Sequence, residues 1–281
     1  MGISIGNDEV KKIHLGSSTV SKIYSGSTLI WSYDSIDYDY SGAIKSGNSL
    51  DLSGTRQIIA ARVYQNHLYI MDSSLSYTLV KYSYNSDLSQ CVPTGDFKQL
   101  GNTAQDFKWV LGGTKMYYIA NGTSIRERTA STPYLLSSLG SLTSYTMPVV
   151  GESRAMVIND DDSIMLIADA DFNKIEAIDI SGGLGSMTHI SSLDVSAYTT
   201  NFKALEIAPD GKTLYISNMT TDRVEIIRLN QEWDLTGGFT YLGTIILTGG
   251  SWQCQGITID PDGSGLILTN GQLEKIDRYT K

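Results

Sequence analysis

The chain has 281 residues, of which 41% are hydrophobic and 18% charged, and its formal net charge is −9 at pH 7. This length and hydrophobic content suffice for a sizeable core in one large domain or two smaller ones. The acidic balance argues against a surface that follows nucleic-acid phosphates, and no segment reaches the ~18 apolar residues of a membrane span. We therefore expect neither nucleic acid nor a membrane as a partner.

Two copies of a short strand pattern begin the chain. VKKIHLGS (10–17) is followed ten residues later by VSKIYSGS (20–27), and the apolar run LIW ends at residue 31. Ser and Gly at these positions favour turns, and a piece this short buries little of itself. We predict a small N-terminal strand or hairpin segment, residues 1–32, that contacts another molecule. The alternative is a hairpin packed on the rest of the same chain.

Five repeats fill residues 33–281. Each has an apolar strand, a turn, a second apolar strand that ends in Asp or Asn, a polar gap and an alternating third strand. The second strands read HLYIMD, MYYIAN, IMLIAD, TLYISN and LILTN. Fourth strands are predicted at FKQLGN, YTMPVV, HISSLDV and YLGTIIL. Four antiparallel strands at a period near 49 residues are typical of propeller blades.

The two ends of the repeat region complement each other. The last repeat has no fourth strand. Residues 38–52 (YDYSGAIKSGNSLDL) are predicted to form a fourth strand that is not preceded by the first three strands of a repeat. Pairing the two removes the exposed edge of an open array. We predict an all-β fold: a five-bladed β-propeller over residues 33–281, closed by the strand near residues 38–52. A six-bladed ring is the alternative, but residues 1–32 are too few for a blade.

The stretch PDGKTLYISNMTTDRVEIIRL (209–229) resembles the blade repeat of the YVTN and related lactonase-like propeller families. Residues 261–279 (PDGSGLILTNGQLEKIDRY) are a looser copy, and EWDLTGG (232–238) resembles the Trp-Asp entry to an outer strand. The resemblance implies the propeller fold and leaves the chemistry open, because propellers carry unrelated functions.

The tandem pattern at the start resembles the short N-terminal segment of many tailed-bacteriophage structural proteins. His14 and Ser25 depart from it, since Tyr and Leu are usual there. The resemblance implies that the segment attaches a variable exposed domain to the virion, as in tail, baseplate and some head-decorating proteins. The residues that carry it, and that we expect at the attachment or oligomerisation interface, are Val10, Lys12, Ile13, Leu15, Val20, Lys22, Ile23, Tyr24, Leu29 and Trp31.

These resemblances predict a phage virion structural protein, an exposed tail or fibre component that adheres to the host surface. Its expected partners are other virion proteins, bound through residues 1–32, a host-surface glycan and further copies of itself. MGISIGNDEV lacks a signal peptide's basic start and apolar run, so we expect synthesis in the host cytoplasm and localisation in the virion. The alternatives are a head decoration protein and a carbohydrate-binding or glycoside-hydrolysing propeller unrelated to virions.

Candidate catalytic groups favour a protein that is not an enzyme. Hydrolysis of a glycoside needs two carboxylates about 5–10 Å apart, and the candidates are Asp72, Asp106, Glu152, Asp169 and Glu206. One Asx residue ends the second strand of every blade, which favours strand-end Asx turns over a catalytic device that would break the symmetry. This blade Asx ring is Asp72, Asn121, Asp169, Asn218 and Asn270.

The remaining candidate sites are weaker. No His-x-x-x-His or Gly-x-Ser-x-Gly spacing occurs among His14, His67 and His189, so histidine catalysis is not expected. Residues 159–162 with Asp169 and Asp171 resemble a calcium loop only in being acidic, and we expect no metal and no cofactor. Tyrosines are frequent at the start of the repeat region, where we expect them to cover strand surfaces or to stack on sugar rings. They are Tyr33, Tyr38, Tyr40, Tyr64, Tyr69, Tyr77, Tyr82 and Tyr84.

Overall fold

The fold is seen in a computed structural model. It describes residues 38–281, except 53–56, 102, 150, 249–252 and 261–262, together with the backbone of four short strands between residues 13 and 32. The chain divides into two compact units, Met1–Tyr38 and Asp39–Lys281.

The N-terminal unit contains two hairpins. β1 (Ile13–Leu15) pairs antiparallel with β2 (Ser18–Val20), and β3 (Lys22–Ser25) pairs antiparallel with β4 (Thr28–Ser32). The first strand of each hairpin therefore lies within one copy of the tandem pattern, β1 in the first copy and β3 in the second.

The larger unit is a five-bladed β-propeller, which confirms the predicted all-β fold. Each of its five sheets has four antiparallel strands. The first blade has β6 (Ile58–Tyr64), β7 (His67–Asp72), β8 (Thr78–Ser83) and β9 (Pro93–Gln99); the second has β10 (Ala104–Val110), β11 (Lys115–Ala120), β12 (Ser124–Ala130) and β13 (Leu139–Thr146). The third has β14 (Ser153–Ile158), β15 (Ile164–Asp169), β16 (Lys174–Asp179) and β17 (Thr188–Asp194). The fourth has β18 (Leu205–Ile207), β19 (Thr213–Asn218), β20 (Arg223–Gln231) and β21 (Asp234–Ile246); the fifth has β22 (Cys254–Ile259), β23 (Leu266–Asn270), β24 (Lys275–Thr280) and β5 (Ile44–Asp51).

The strand that completes the fifth blade comes from the other end of the chain. β5 precedes the first blade in sequence and pairs antiparallel with β24, with Leu50 opposite Ile276 and Lys45 opposite Tyr279. The buried Tyr40 extends this closure, because its hydroxyl donates to the carbonyl of Gly263. Closing the ring in this way leaves β24 without an unpaired edge.

The first strand of each blade lies innermost, and these five strands contact one another in the order β6, β10, β14, β18, β22 and back to β6. They surround the central channel. Their N-terminal ends, and the C-terminal ends of the second strands, lie at one face of the propeller, because the two strands are antiparallel. We call this face the Asx face, since Asp72 and Asp169 end their strands there.

Burial is greatest in the second strands and least in the outermost strands. The second strands are buried on both faces, which explains their continuous apolar runs. Apolar clusters lie between neighbouring blades; Val157 and Leu166 of the third blade, for example, pack in one cluster with Phe202 and Leu214 of the fourth. The outermost strands β9, β13 and β17 are mostly exposed.

The bounds predicted for the fourth strands agree less well with the structure. β13 spans Leu139–Thr146, so the strand predicted at YTMPVV (145–150) is wrong in all but its first two residues. Pro148 lacks the N–H that a strand ladder needs, and the true strand, LGSLTSYT, is polar because it is exposed. An outer strand with little to bury carries little apolar signal.

The hairpin at PDGK shows why its glycine is needed. Gly211 has a φ of +68°, a region that L side chains rarely adopt, and an added Cβ would lie 2.7 Å from the Trp233 indole nitrogen. The helices in the described part of the chain are four 3₁₀ turns of three residues each: Leu88–Gln90, Leu111–Gly113, Leu136–Ser138 and Leu184–Ser186. None of these is long or apolar enough to cross a membrane.

Candidate functional site

A buried ion cluster crosses the central channel. The Arg62 guanidinium pairs with the carboxylates of Asp106 and Glu206, which come from the second and fourth blades. Lys108 Nζ lies 3.2 Å from the other oxygen of Glu206. Arg62, Asp106 and Glu206 are only 2%, 3% and 5% exposed. We call these four residues the Arg62 cluster.

The remaining Arg62 contacts go to backbone carbonyls. Nη1 donates to the carbonyl of Ile257 at 2.8 Å, and Nη2 donates to those of Met156 at 3.2 Å and Leu205 at 3.4 Å. With Asp106, these partners come from the second, third, fourth and fifth blades, whereas Arg62 is on the first. A single side chain therefore links all five blades across the channel.

The carboxylates of the cluster accept further hydrogen bonds from the backbone. Asp106 also accepts hydrogen bonds from the backbone N–H groups of Phe107 and Met156, at 2.8 and 2.9 Å, and Glu206 accepts one from Ile207 at 3.1 Å. Burial alone would lower the pKa of Arg62, but Asp106 and Glu206 outweigh it and raise that pKa. Two predicted catalytic candidates are thus brought together, and both are engaged by the Arg62 guanidinium and by backbone N–H groups.

A polar pocket lies at the mouth of the channel on the Asx face. It has a volume of about 250 Å³. Each blade contributes one residue at the equivalent position, on its inner strand or just before it. This axial pocket is lined by Ile59, Gln105, Arg154, Lys203 and Gln255 at those positions and by Gln57, Ser73, Tyr77 and Gln253 around them.

Arg154 is the first cation of the axial pocket. Its Nη1 donates to Gln105 Oε1 at 3.0 Å, and its Nη2 forms an ion pair with Glu152. Its Nε is buried and has no hydrogen-bond partner among the described residues. Glu152 is the third predicted carboxylate placed near this site, and Arg154 neutralises it.

Lys203 is the second cation. It is half-buried, and its ammonium group makes no hydrogen bond or ion pair with any residue that the structure describes. Burial lowers the pKa of Lys203, and the charge of Arg154 lowers it further, while Glu152 acts in the opposite direction. The pocket therefore holds two cations against one carboxylate, in a chain whose net charge is −9.

Glutamine amides and one tyrosine complete the pocket. Gln57 Oε1 accepts from Ser73 Oγ at 3.1 Å, and Gln253 Oε1 accepts from Gln255 Nε2 at 3.3 Å. The NH₂ groups of Gln57 and Gln253 thus remain as donors at the pocket, with no acceptor among the described residues. Amides of this kind both donate to and accept from hydroxyl groups.

Four members of the predicted Asx ring form turns at strand ends on the Asx face. Asp72 accepts from Ser74 N at 3.0 Å and Asp169 from Asp171 N at 3.1 Å. Asn218 accepts from Thr220 N at 3.2 Å, and Asn270 from Gln272 N at 3.1 Å. Each oxygen caps the backbone two residues further on, which is the geometry of an Asx turn.

Asn121 departs from this pattern. β11 ends at Ala120, which is opposite Ala104 as Asp72 is opposite Ile58, so Asn121 lies one residue beyond the ring position. It has a φ of +56° and is exposed, and its Oδ1 accepts from the hydroxyl of Thr103. The second blade is turned here by a left-handed asparagine, a conformation that Asn tolerates better than most residues.

A Ser-His-Glu group lies on the outer strands of the third blade. His189 Nε2 is 2.7 Å from Glu176 Oε2 and 3.2 Å from Ser192 Oγ, and Ser192 also donates to Glu176. A catalytic relay places the serine and the carboxylate on opposite nitrogens of the imidazole. Here both contact the same nitrogen, so the group is a hydrogen-bonded triangle and not a nucleophilic triad. His67 begins β7, with its Nδ1 2.8 Å from Gln65 O.

The acidic loop at residues 159–162 makes local contacts. Asp161 accepts from Ser163 N at 3.1 Å, and Asp162 accepts from Leu111 N at 3.0 Å. Within the described ranges, no three His, Cys, Asp or Glu residues converge in a way that could hold a metal ion. Cys91 and Cys254 are both buried and free.

The tyrosines singled out in the sequence lie in different parts of the structure. Tyr77 lines the axial pocket, whereas Tyr64 and Tyr69 meet edge to face at 5.9 Å inside an aromatic cluster with Trp109. Tyr64 and Tyr69 fill the space between the first and second blades. Tyr33 lies outside the described residues.

The predicted attachment residues lie on the N-terminal hairpins or just before them. Val10 and Lys12 are outside the described residues. The others lie on β1 to β4: Ile13, Leu15, Val20, Lys22, Ile23, Tyr24, Leu29 and Trp31.

Sequence reasoning did not find Arg62, Arg154, Lys203 or the glutamines. A signal exists in the aligned repeats: Gln105, Arg154, Lys203 and Gln255 occupy one position, 49, 49 and 52 residues apart, and all four are polar or charged. Residues this far apart meet only when the ring closes around the channel. Asp106 and Glu206 were singled out, but Arg62, their shared partner, was not.

Comparison with known proteins shows the fold. No family model and no curated protein matches the chain. It is similar to the crystal structure of glutaminyl cyclase from Myxococcus xanthus, with a TM-score of 0.57 and 14% identity over 84% of this chain and 95% of that one. A putative 6-phosphogluconolactonase from Bacteroides fragilis has a TM-score of 0.49 and 15% identity over 79% of this chain and 65% of that one. The β-propeller domain of Cps50 (Swd1) from Myceliophteria thermophila has a TM-score of 0.48 and 10% identity over 85% and 98%.

At these identities the similarity is one of fold alone. The chain shares the propeller architecture with the Myxococcus xanthus cyclase, and the class that fold and site define is a β-propeller with a polar, cationic pocket on its axis. The function is argued from that pocket and from the N-terminal segment.

Proposed function

We propose that this chain is a structural protein of a tailed-phage virion that binds a ligand on the host surface. Residues 1–32 join it to other virion proteins, and the propeller presents the axial pocket outward. The observation that carries the binding function is the half-buried Lys203, whose ammonium group makes no hydrogen bond or ion pair with the described residues. The virion assignment rests on the resemblance of residues 9–31 to phage attachment segments, and the two tandem hairpins support it.

Binding without catalysis is supported by the state of the carboxylates. Asp106 and Glu206 are paired with Arg62, Glu152 with Arg154, and Asp72 and Asp169 cap backbone turns. A glycosidase needs one carboxyl held protonated and a second free to act as base or nucleophile. Carboxylates committed to cations and N–H groups are poorly suited to either task. We therefore propose a binding protein and not an enzyme.

We also propose that copies of the chain associate through the N-terminal segment. Strands of three to five residues bury little within one chain, and pairing between chains is a common solution. The outer strands of the propeller expose Ile44, Phe97 and Ile246 at 70%, 61% and 60%. These apolar side chains provide further contact area for neighbours in an assembly.

The test is incorporation into particles. A chain that lacks residues 1–32 is expected to fold and to be absent from purified particles, whereas the full-length chain is present. A matched control is full-length Lys203→Gln, which alters the pocket and is expected to be incorporated normally. Incorporation of the truncated chain at the full-length level would overturn the attachment proposal.

A further inference from the structure

Two cationic side chains, Arg154 and Lys203, line the axial pocket, and no carboxylate is among its described lining residues. The neighbouring Glu152 pairs with Arg154. A half-buried ammonium group without a counter-charge costs free energy, and an anionic ligand would offset that cost.

The donors are arranged for one anionic group. Arg154 Nε is buried and has no partner among the described residues, and Lys203, which lines the same pocket, contributes further donors. The two residues occupy equivalent positions on adjacent blades, which places both at the same level of the channel. Charge-assisted hydrogen bonds from such donors to a carboxylate, sulfate or phosphate oxygen are shorter and stronger than neutral ones.

The rest of the pocket suits hydroxyl groups. Gln57, Gln105, Gln253 and Gln255 supply amides, and Tyr77 supplies one aromatic ring on the wall. Amides bond to hydroxyls as donor and acceptor, and an aromatic face packs on the apolar face of a sugar ring. The volume of about 250 Å³ is below the ~300–1,000 Å³ of pockets for drug-sized ligands, so it admits one monosaccharide unit.

We propose that the axial pocket binds a single acidic sugar residue, with its anionic group on Arg154 and Lys203 and its hydroxyls on the glutamine amides. The inference rests on the proposed function in taking the host-surface ligand to be a glycan. It adds that the ligand is anionic and that one terminal residue enters the pocket. A nucleic-acid strand is disfavoured, because the pocket is small and the whole chain is acidic.

The experiment is calorimetric titration of the full-length chain with matched small molecules. Glucuronate, glucose 6-sulfate and glucose 6-phosphate are compared with glucose, which has the same ring without the charge, and with inorganic sulfate, which has the charge without the ring. We expect at least one charged sugar to bind about tenfold or more tightly than glucose. The carboxylated and the sulfated or phosphorylated arms identify which anionic group the pocket takes.

Variants assign the binding to the pocket. Lys203→Gln is expected to weaken binding of the charged sugar about tenfold or more, and Lys203→Arg to retain most of it. Lys212→Gln is the matched control, because Lys212 lies on the same blade at the opposite face and is partly exposed; it is expected to leave the affinity within about twofold. Gln57→Ala is expected to weaken binding of the sugar but not of inorganic sulfate, because Gln57 lines the pocket without a hydrogen bond to Arg154 or Lys203.

Several outcomes would overturn the proposal. Equal affinity for glucose and every charged sugar would show that the protein has no preference for an anionic ligand. An unchanged affinity in Lys203→Gln would show that the sugar does not bind in the axial pocket. Inorganic sulfate that binds as tightly as glucose 6-sulfate would reduce the site to a simple anion site. None of these results touches incorporation into particles, so failure here and failure of the virion proposal are distinguishable.

Discussion

Arg62 and Asp106 form a buried ion pair between the first and second blades, with Arg62 Nε 3.3 Å from Asp106 Oδ1 and a second, shorter contact between Nη2 and Oδ2. This pair anchors the cluster that links all five inner strands. The central channel is therefore closed by charge and hydrogen bonds at this level, below the axial pocket.

Replacement of Arg62 tests this closure. Arg62→Met leaves the carboxylates of Asp106 and Glu206 buried without a guanidinium, and removal of one partner of a buried ion pair destabilises a protein by about 3–5 kcal/mol. We expect that loss in the free energy of unfolding, measured in urea at pH 7. Arg228→Met, at an exposed position on β20, is the control and is expected to change it by less than about 0.5 kcal/mol. A loss below about 1 kcal/mol for Arg62→Met would contradict the account.

Lys203→Met is expected to stabilise the ligand-free protein at pH 7. Since burial lowers the pKa of Lys203 in the folded state below the 10.5 of an ordinary lysine, the folded protein holds this proton less tightly than the unfolded chain. The wild-type protein therefore gains stability as the pH rises from the lowered folded pKa to 10.5. The advantage of Lys203→Met, at most about 1 kcal/mol for a half-exposed group, should shrink over that range.

Unfolding curves at pH 7 and pH 10 measure this effect. Lys212→Met serves as the control and is expected to show the same small difference at both values. An advantage of Lys203→Met that is absent at pH 7, or that grows at pH 10, would show that Lys203 already has a counter-charge.

Asp169→Asn should also stabilise, with the opposite dependence on pH. Burial raises the pKa of Asp169, and the N–H groups of Phe172 and Asp171 only partly oppose this. A carboxyl with a raised folded pKa contributes stability below its unfolded pKa and loses it as the pH rises through the folded value. Asn keeps the Asx-turn acceptor, as Asn218 does, without the buried charge. We expect a gain of up to about 1 kcal/mol at pH 7 that disappears in acid.

Asp194→Asn provides the contrast for that measurement. Hydrogen bonds from the side chain and backbone of Ser196 lower the pKa of Asp194. A lowered folded pKa gives stability that is present above the unfolded pKa and lost as the pH falls through the folded one. We expect Asp194→Asn to be less stable than the wild type at pH 7 and equal to it in acid. Urea unfolding at pH 3 and pH 7 separates the two signs, and identical profiles would contradict both assignments.

Truncations test the closure of the ring by β5. Removal of residues 1–37 is expected to leave a folded propeller. Removal of residues 1–52 also deletes β5 and the buried Tyr40, Ala43 and Leu50, exposes the edge of β24, and forfeits about 1.5–3 kcal/mol for each large apolar side chain. We expect a melting temperature at least about 10 °C lower and association through the open edge. Equal melting temperatures for the two truncations would show that β5 does not close the ring.

Much of the fold could be predicted because the apolar runs in the repeats reflect how deeply their strands are buried. The second strands, such as IMLIAD and TLYISN, are buried on both faces and therefore read as apolar runs at a constant spacing. The closing strand was predictable from topology, since the last repeat lacked a fourth strand. Outer strands such as β13 are exposed, so their sequence resembles that of loops, and the boundaries placed there were wrong.

The candidate site was predictable only in part. The Asx turns depend on contacts two residues apart, so the local sequence indicates them at Asp72, Asp169, Asn218 and Asn270. In the second blade the register differs by one residue, which the sequence does not reveal. The axial pocket unites residues about 49 positions apart, and Arg154 and Lys203 read as ordinary surface cations until the ring places them on its axis.

The central claim is that the chain belongs to a virion, and the most direct test is quantitative mass spectrometry of purified particles from the source of its coding sequence. The account predicts that the chain is present at a few to a few tens of copies per particle, as expected for a tail or fibre component. Hundreds of copies would indicate head decoration, the alternative position on the particle. Absence of the chain from the particles would contradict the account.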